Sequence, residues 1–503
     1  MATTATPETR TEKDALGALE VPADVLYGAS TQRAVDNFPS FRPVPDAILR
    51  AYVLLKRAAA EANNEIGWLE DERARLIAAA CDRLEAGLPG DGGLGRHFPV
   101  DVFQTGSGTS TNNNFNEVIA NLVCRDRTGE IGGSKDKAYI AAGGVHPNDH
   151  VNLGQSSNDT FPTAIHVAAV QAIARGLLPE LGRLAAALEA KADAFRTIVK
   201  SGRTHLMDAT PIGMGQVFGG YARQARLGED RLRRALDVLA ELPIGGTAVG
   251  TGIETHERFG ALVAAKLADA TGCDFREAAD HCEAQHAKDA VVEASGHLRT
   301  LAVSLTKIAN DIRWMGSGPR CGLGELRLPE IQPGSSIMPG KVNPVICESV
   351  VMACCQVLGN DRAIEAGGLG GIGSILDLNV AMPMMAANLL DSIDLLEQSC
   401  RVFREKLIEG LEAHADHCED LAKRSSAVCT GLKNIIGYEA AGELAVEALE
   451  SKRNVVDVAV ERITAEWLAE RKVSLSDSDR ARVLDEAGLR DLLDPKNMIA
   501  PSR

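Results

Sequence analysis

The sequence predicts an all-α, mainly helical protein organised around a long helical bundle. Between about residues 160 and 410, apolar residues recur at steps of three and four, which places them along one face of a helix. Two such series comprise Leu177, Leu181, Leu184, Leu188, Phe195 and Val199, and later Leu298, Leu301, Leu305, Ile308 and Ile312. The alternation typical of strands is scarce, and aromatic residues make up only 4% of the chain. Such spacing suits the near-parallel packing of long helices.

Breaks in this periodicity suggest three regions. Gly202, residues 245–252 and Gly316 each follow a helical series, so we expect loops at the ends of the bundle. Residues 1–150 are predicted to mix short helices with loops, residues 151–410 to form the long-helix bundle, and residues 411–503 to form a smaller helical unit. A solitary bundle of this length would leave apolar seams exposed, which favours self-association.

The composition narrows the class of protein. The 503-residue chain carries 53 basic and 69 acidic residues, a net charge of −16, which supports solubility and argues against a nucleic-acid or anionic-membrane partner. No run approaches the roughly 18 to 20 uninterrupted apolar residues of a membrane helix, and the start of the chain lacks a signal pattern. We therefore expect a cytoplasmic location. The 11 cysteines show no C-x-x-C spacing and are interpreted as reduced thiols.

Residues 334–344 concentrate the side chains best suited to anion binding and proton abstraction. Glycines bound this loop and allow backbone N–H groups to converge on one point, while Lys341 adds a positive charge. A serine among such donors could have its alkoxide stabilised enough to act as a base. A simple surface turn needs glycine and proline but gains nothing from the other polar residues of the loop, Ser335, Ser336, Lys341 and Asn343.

Two further segments place polar side chains ahead of predicted helices. Residues 106–112 include Ser107 and Thr109, and residues 155–162 include Ser156, Ser157 and Asn158. The N-terminus of a helix attracts anions through its unpaired N–H groups, and hydroxyl side chains add donors. Ordinary helix capping is the alternative interpretation, although two serines and an asparagine exceed what one cap requires. We expect both segments to bind an anionic ligand.

Two patterns that could suggest a metal or a nucleotide are interpreted otherwise. His146 and His150 flank a proline, an asparagine and Asp149, but the spacing is poor for metal ligands and no second cluster is evident. Residues 368–373 formally fit the G-x-G-x-x-G fingerprint, yet no strand is predicted before them, so we interpret them as a connection between helices. No metal site and no nucleotide site are predicted.

A histidine and a glutamate are further candidates. His205 is predicted to lie in a loop between two helices, with Thr210 and Pro211 capping the second, although a lone histidine is more often structural than catalytic. Glu348 is predicted to lie in the opening turns of the helix after residues 334–344. There it could simply complement the helix dipole.

The order of residues in the 334–344 loop resembles the signature of the fumarase/aspartase superfamily, whose members add or eliminate a group beside a carboxylate. The resemblance extends from Val-Pro-Ala-Asp at residues 21–24 to Ile-Gly-Tyr-Glu at residues 436–439. It implies a three-domain fold with a long central helical bundle, and a homotetramer whose active sites are each shared among three subunits. It also implies a small dicarboxylate substrate and neither metal nor organic cofactor.

The same resemblance implies roles for individual residues. His146, Asn148 and Asp149 would form an accessory carboxylate site. The histidine at position 205 favours water chemistry over ammonia chemistry, because aspartases typically carry glutamine there. Glu348 would pair with His205 and stabilise its protonated form. The implied substrate-binding residues are Ser107, Thr109, Ser156, Ser157, Asn158, Thr204, Ser336, Lys341 and Asn343.

The predicted reaction is the reversible hydration of fumarate to malate. Ser335 would remove the C3 proton of malate to give a doubly charged aci-carboxylate, and His205, backed by Glu348, would handle the leaving hydroxyl through a water. Aspartate ammonia-lyase and a catalytically silent structural relative are the alternatives. The chain departs from the family pattern at residues 90–95, 132–144 and 367–373.

Overall fold

Helices dominate the computed structural model, which describes residues 8–38, 42–88 and 94–500. The mainly helical fold is therefore confirmed. The α-helices are α1 (Ala29–Asn37), α2 (Asp46–Ile66), α3 (Asp71–Glu85), α4 (Leu94–His97), α5 (Thr109–Thr128), α6 (Lys137–Ala141), α7 (Ser157–Ala172), α8 (Leu178–Ala194), α9 (Met214–Leu239), α10 (Phe259–Thr271), α11 (His281–His286), α12 (Asp289–Met315), α13 (Val345–Gly368), α14 (Met382–Phe403), α15 (Ala415–Arg424), α16 (Thr430–Ile436), α17 (Tyr438–Ser451), α18 (Val455–Arg462), α19 (Ala465–Glu470), α20 (Asp477–Leu484) and α21 (Glu486–Leu492).

The strands are short and pair two by two. They are β1 (Thr9–Asp14), β2 (Gly17–Pro22), β3 (Val199–Thr204), β4 (Met207–Gly213), β5 (Glu241–Leu242), β6 (Arg276–Glu277), β7 (Leu326–Arg327), β8 (Ser374–Ile375), β9 (Leu378–Asn379) and β10 (Glu412–Ala413). Pairing is antiparallel for β1 with β2, β3 with β4, β7 with β10 and β8 with β9, and parallel for β5 with β6. Two sets of residues considered in the sequence analysis lie outside the described ranges. They are residues 1–7, which lack a signal pattern, and residues 90–93, which belong to the predicted departure at 90–95.

By its internal contacts the chain divides into two compact units. Unit 1 comprises Met1–Glu180, Gly228–Val303 and Ala353–Gln398, and unit 2 comprises Leu181–Leu227, Ser304–Met352 and Ser399–Arg503. The division into residues 1–150, 151–410 and 411–503 stays a prediction.

In unit 1, α2 packs against α3, α7 and α10, and α5 packs against α3 and α7. Tyr52 of α2 stacks on Phe115 of α5 with ring centroids 4.8 Å apart. The expectation of only short helices in the first 150 residues was wrong, because α2 has 21 residues and α5 has 20. Their buried faces carry polar side chains such as Lys56, Asn112 and Asn116, which hide the apolar periodicity.

In unit 2, the last seven helices, α15 to α21, lie in the C-terminal part of the chain. Most of them surround an apolar cluster whose buried members include Val428, Leu432, Ile436, Leu444, Val458, Leu468, Val483 and Leu489. The antiparallel pair of β3 and β4 also belongs to this unit, and helix α15 packs against β3.

The strands β3 and β4 correct the sequence prediction for Val199, which was counted in a helical series but begins β3, and for residues 203–211. Thr210 and Pro211 were expected to cap a helix, but they lie within β4, and the next helix begins at Met214. The hairpin register shifts between Ser201 and Arg203, where Gly202 faces its partner strand. A Cβ at Gly202 would lie 2.4 Å from the Thr210 carbonyl oxygen, so the bulge needs glycine.

The other predicted breaks are found. Helix α12 ends at Met315, directly before Gly316, and residues 245–252 lie in the connection between β5 and α10. Gly368 is the last residue of α13, and residues 369–373 follow that helix rather than a strand, so their interpretation as part of a connection between helices holds. One helical segment of the described chain, Ser157–Ala194, is long and apolar enough to cross a membrane by length and composition. Since 67% of its apolar window is buried inside the structure, this is weak evidence for a membrane span.

Candidate active site

Three hydroxyl groups from two separate segments meet in unit 1. The Ser107 and Thr109 hydroxyls lie 2.8 Å apart, and the Thr109 and Ser157 hydroxyls 2.7 Å apart. We call Ser107, Thr109 and Ser157 the hydroxyl chain. Helix α5 has Gly108 as its N-cap and no side-chain capping bond, so ordinary capping does not explain Ser107 and Thr109. The structure thus brings together two segments that the sequence had singled out independently.

Two glycines allow this close approach. A Cβ at Gly106 would lie 1.6 Å from the Val380 carbonyl oxygen, and one at Gly108 would lie 2.0 Å from the ring of Phe161. Gly108 also has φ +72°, which favours glycine. Both contacts lie within unit 1, and they hold the start of α5 against α7 and the segment before α14.

Ser156 has a structural role at the start of α7. Its hydroxyl accepts a hydrogen bond from the Asn158 N–H at 3.2 Å, and Asp159 accepts one from the Ser156 N–H at 2.9 Å. This is a capping box. The ligand role predicted for Ser156 is untested, because a hydroxyl that accepts one bond can still donate another. The Asn158 amide donates to the Ala248 carbonyl at 2.8 Å, which joins this turn to residues 245–252.

Asp159 is a buried carboxylate that sequence reasoning missed. Beyond the capping box, it accepts hydrogen bonds from the Gly245 and Thr247 N–H groups at 3.2 and 2.9 Å. Burial raises the pKa of Asp159 to about 7, while these backbone bonds and the nearby charge of Lys56 act in the opposite direction. These bonds hold the glycine-rich segment 245–252 against the start of α7. An acidic residue three positions after a serine was the available signal.

The segment at His146 forms a compact turn. His146 is the N-cap of a π-helical turn, Pro147–Val151, and its Nδ1 accepts hydrogen bonds from the Asn148 and Asp149 N–H groups at 3.3 and 3.1 Å. Burial lowers the pKa of His146, so the neutral imidazole is favoured. His146 and Asn148 line a cavity of about 360 Å³ together with Lys13, Ser30, Asn113 and Lys135. Among the described residues, no group of three or more His, Cys, Asp or Glu side chains could hold a metal ion.

His205 lies at the tip of the β3–β4 hairpin in unit 2. His205 and Leu206 form its two-residue turn with φ values of +58° and +62°, because Thr204 pairs with Met207. Such turns normally use asparagine and glycine, so this hairpin holds its tip in a costly conformation. His205 and Thr204 are exposed in the single chain.

A buried ion cluster fixes the base of this hairpin. Glu325 is fully buried and accepts from Arg203 at 2.8 Å, and its second oxygen lies 3.2 Å from the Lys200 ammonium. Burial lowers the pKa of Lys200, and the Glu325 charge opposes that shift. Arg203 and Lys200, which lie two and five positions before His205, are thus both paired with the Glu325 carboxylate.

The 334–344 loop presents Ser335 to two backbone donors. The Ser335 hydroxyl oxygen accepts from the Ile337 N–H at 3.2 Å and from the Met338 N–H at 3.0 Å. Donors aimed at one oxygen stabilise a negative charge on it, which is what an alkoxide base requires. Ser335 is half-buried, while Ser336 and Lys341 are exposed.

The rest of the loop is braced internally. The Gly334 N–H donates to the Lys341 carbonyl at 2.8 Å, and the Asn343 amide donates to the Gly334 carbonyl at 2.6 Å. Asn343 therefore has a structural role beside its predicted ligand role. Helix α13 begins at Val345, and Glu348 lies exposed in its first turn, as predicted. Within the described residues of this single chain, Ser335, His205 and Glu348 share no hydrogen bond or ion pair.

The chain is mainly helical and has a serine loop that carries a lysine, a hydroxyl chain at a helix start and a strained histidine turn. These are the features of a helical lyase. Residues 17–359 match the family model described as "Lyase", which covers more than half of the chain. The chain therefore belongs to this lyase family.

Within that family the chain is similar to class II fumarate hydratases. It is 50% identical over 475 residues to the class II fumarate hydratase of Mycobacterium tuberculosis, covering 94% of each chain. It is also 50% identical to that of Halobacterium salinarum, covering 95% of this chain and 97% of the relative. The crystal structure of class II fumarase from Schistosoma mansoni superposes with a TM-score of 0.88 at 32% identity, covering 99% of this chain and 100% of that one. The predicted resemblance is confirmed.

Proposed function

We propose that this protein is a fumarate hydratase that interconverts fumarate and (S)-malate. The observation that carries the proposal is the Ser335 oxygen with two backbone N–H donors, in a chain half identical to class II fumarate hydratases along nearly its whole length. Closely spaced neutral hydrogen-bond donors and one lysine can stabilise the additional negative charge that the substrate gains when it loses a proton.

The proposed mechanism is an elimination in two stages. The Ser335 alkoxide takes the C3 proton of malate, and the electron pair of that C–H bond moves into the adjacent carboxylate to give the aci-carboxylate. That electron pair then forms the C2–C3 double bond as the C2–O bond breaks. The leaving hydroxyl takes a proton delivered by way of His205, supported by Glu348, and departs as water. Hydration of fumarate follows the same steps in reverse.

The donor groups divide the work of holding the two carboxylates. Ser107, Thr109, Ser157 and Asn158 bind one end of the substrate through the hydroxyl chain, and the 334–344 loop binds the other through Ser336, Lys341 and Asn343. Ser156 and Thr204 complete the set. A site closed to bulk water would strengthen each of these bonds.

One absorbance assay tests the reaction. The purified protein is mixed with malate and, separately, with aspartate, and the appearance of fumarate is followed. Fumarate from malate alone supports the proposal, whereas faster formation from aspartate identifies an ammonia-lyase. No fumarate from either compound indicates a catalytically silent relative.

We further propose a homotetramer in which each active site draws on three subunits. Leu206, Met207 and Ile337 are 66%, 70% and 83% exposed in the single chain, although they flank the two candidate catalytic groups. Apolar side chains so placed favour burial against another copy. Size-exclusion chromatography with activity measured across the fractions is the test. Activity should coincide with the tetramer, and an active monomer would exclude a shared site.

His146, Asn148 and Asp149 are proposed to form an accessory carboxylate site. The cavity lined by His146 and Asn148 is also lined by Lys13 and Lys135, which can attract an anion, and by Asp14 and Glu117, which are paired with Arg33 and Lys135. Replacing His146 by alanine should weaken binding of a second dicarboxylate while turnover at the main site persists. A cytoplasmic location also belongs to this proposal, because the net charge and the similarity to fumarate hydratases support it.

A further inference from the structure

Lys56 is a fully buried lysine that the proposed mechanism does not use. It lies in α2, and its ammonium donates to Asn112 at 2.8 Å, Gln155 at 3.0 Å and Asn152 at 3.1 Å. All three acceptors are neutral amide oxygens. An ammonium group has three N–H donors, so its hydrogen-bonding capacity is matched by these three partners.

Each acceptor belongs to a different part of the candidate site. Asn112 lies in the first turn of α5, three residues after Thr109. Asn152 follows the π-helical turn that begins beside His146. Gln155 directly precedes Ser156. A single buried ammonium group therefore joins the two segments that the sequence predicted to bind an anion, 106–112 and 155–162, to Asn152, which follows the turn at His146.

Bonds among the acceptors close this arrangement into a network. The Asn112 amide donates to Asn152 at 3.0 Å, and the Asn152 amide donates to the Gln155 carbonyl at 3.0 Å. The Thr160 hydroxyl donates to Asn112 at 3.2 Å, which adds α7 to the network. The network therefore links the start of α5 to the start of α7, the two helices that carry Thr109 and Ser157 of the hydroxyl chain.

Burying a charged group costs free energy, so it is an unfavourable way to join segments that have only a structural role. Burial lowers the pKa of Lys56 to about 7, and the negative charge of Asp159 opposes this shift. Apolar side chains of similar volume often hold helices together equally well. An ammonium group bonded to Asn112 and Gln155 has an additional use, because these two residues lie close in sequence to the hydroxyl chain and the bonds fix their positions.

We propose that Lys56 is a positioning residue for the reaction, holding Asn112 and Gln155 so that Ser107, Thr109 and Ser157 keep the spacing that binds the substrate carboxylate. This role exists only if the protein is the fumarate hydratase proposed above.

The test compares two buried lysines. Lys288 is also buried, and its ammonium donates to the Ala284, Gln285 and Ala287 carbonyls at the end of α11. Burial likewise lowers its pKa to about 7. Lys56→Met and Lys288→Met thus each remove a buried ammonium group, but Lys56 bonds to side-chain amides of the network and Lys288 bonds to backbone carbonyls outside it.

Kinetics of the assembled, full-length enzyme are measured per folded molecule, below the melting temperature of each variant. For Lys56→Met, displacement of the hydroxyl chain should raise KM for malate and lower kcat, giving a loss in kcat/KM of about a hundredfold. Lys288→Met should lose thermal stability but keep both constants within about twofold. A Lys56→Met enzyme with lower stability and wild-type KM and kcat would show a structural role only and overturn the inference.

Two further measurements cover a Lys56→Met variant that does not fold and a wild type that is inactive. If Lys56→Met does not fold, Gln155→Met removes one acceptor and leaves the ammonium, and kcat/KM should then fall at least about tenfold. Unchanged kinetics in Gln155→Met would overturn the inference. A wild type that does not interconvert fumarate and malate defeats the proposed function itself. An active wild type with an unaltered Lys56→Met variant defeats only the role of Lys56.

Discussion

Replacing Ser335 by alanine removes the proposed base and leaves the two braces of its loop, the Gly334 N–H to Lys341 and Asn343 to Gly334, in place. A hydrogen bond to a charged group contributes about 1.5–3 kcal/mol, so the Ile337 and Met338 N–H groups favour the alkoxide by about 3–6 kcal/mol. The lower half of that range applies, because Ser335 is only half-buried. A positioned general base contributes about 10²–10⁴-fold, or about 3–5 kcal/mol. We therefore expect kcat to fall by about 10²–10⁴-fold.

The assay is the initial rate of fumarate formation from saturating malate, with substrate binding followed separately. Binding should be largely retained, because the carboxylate ligands remain. Ser451→Ala, which makes the same chemical change at the end of α17, should keep kcat within about twofold of the wild type. A Ser335→Ala enzyme whose kcat stays within about tenfold of the wild type would remove Ser335 from the mechanism.

Three further outcomes are expected from other parts of the molecule. His205→Asn should lower kcat about a hundredfold and change the pH–rate profile, and an unaltered profile would count against its part in proton transfer. Glu325→Ala leaves Lys200 and Arg203 without their buried counter-charge, so urea denaturation should show a loss of about 3–5 kcal/mol; a loss below about 1 kcal/mol would contradict this. Burial lowers the pKa of His166 to about 4 in the folded protein, against about 6.5 in the unfolded chain. Between these pH values the unfolded chain binds a proton at His166 that the folded protein does not bind. The free energy of unfolding should therefore fall by up to about 3 kcal/mol as the pH drops from about 6.5 to 4. His166→Gln should lack that dependence, and equal acid sensitivity of variant and wild type would refute its assignment to this histidine.

The chemistry of the 334–344 loop could be predicted from the sequence because it depends on residues that are adjacent in the chain. Glycines, serines and a lysine in one short loop can bind an anion wherever the loop lies. The structure adds the donors to Ser335, which are the Ile337 and Met338 N–H groups, and the brace from Asn343 to Gly334. The long helices α8 and α12 were also predictable, since Leu181, Leu184 and Leu188 lie in the first and the series from Leu298 to Ile312 lies in the second.

Other features depend on contacts between distant residues and gave weak local signals. The hairpin at His205 was mistaken for a loop because its turn lacks the asparagine and glycine that such turns usually carry. Lys56 resembled an ordinary charge on α2, since nothing beside it in sequence indicates that three amides from residues 112, 152 and 155 surround it. Capping was an open alternative for the segment at Ser156, but the sequence did not identify its capping partner, Asp159, which in turn binds residues 245 and 247.

The sequence by itself determined the helical class, the resemblance to fumarases and the types of side chain offered to an anion. These follow from periodicity and short-range order, which neighbouring residues fix without reference to the rest of the chain. Only the tertiary structure decided that Thr109 meets Ser157, that Lys56 joins residues 112, 152 and 155, and that Glu325 pairs with Arg203 near the turn of His205. Such pairings link residues dozens to more than a hundred positions apart, and packing of the whole core selects them.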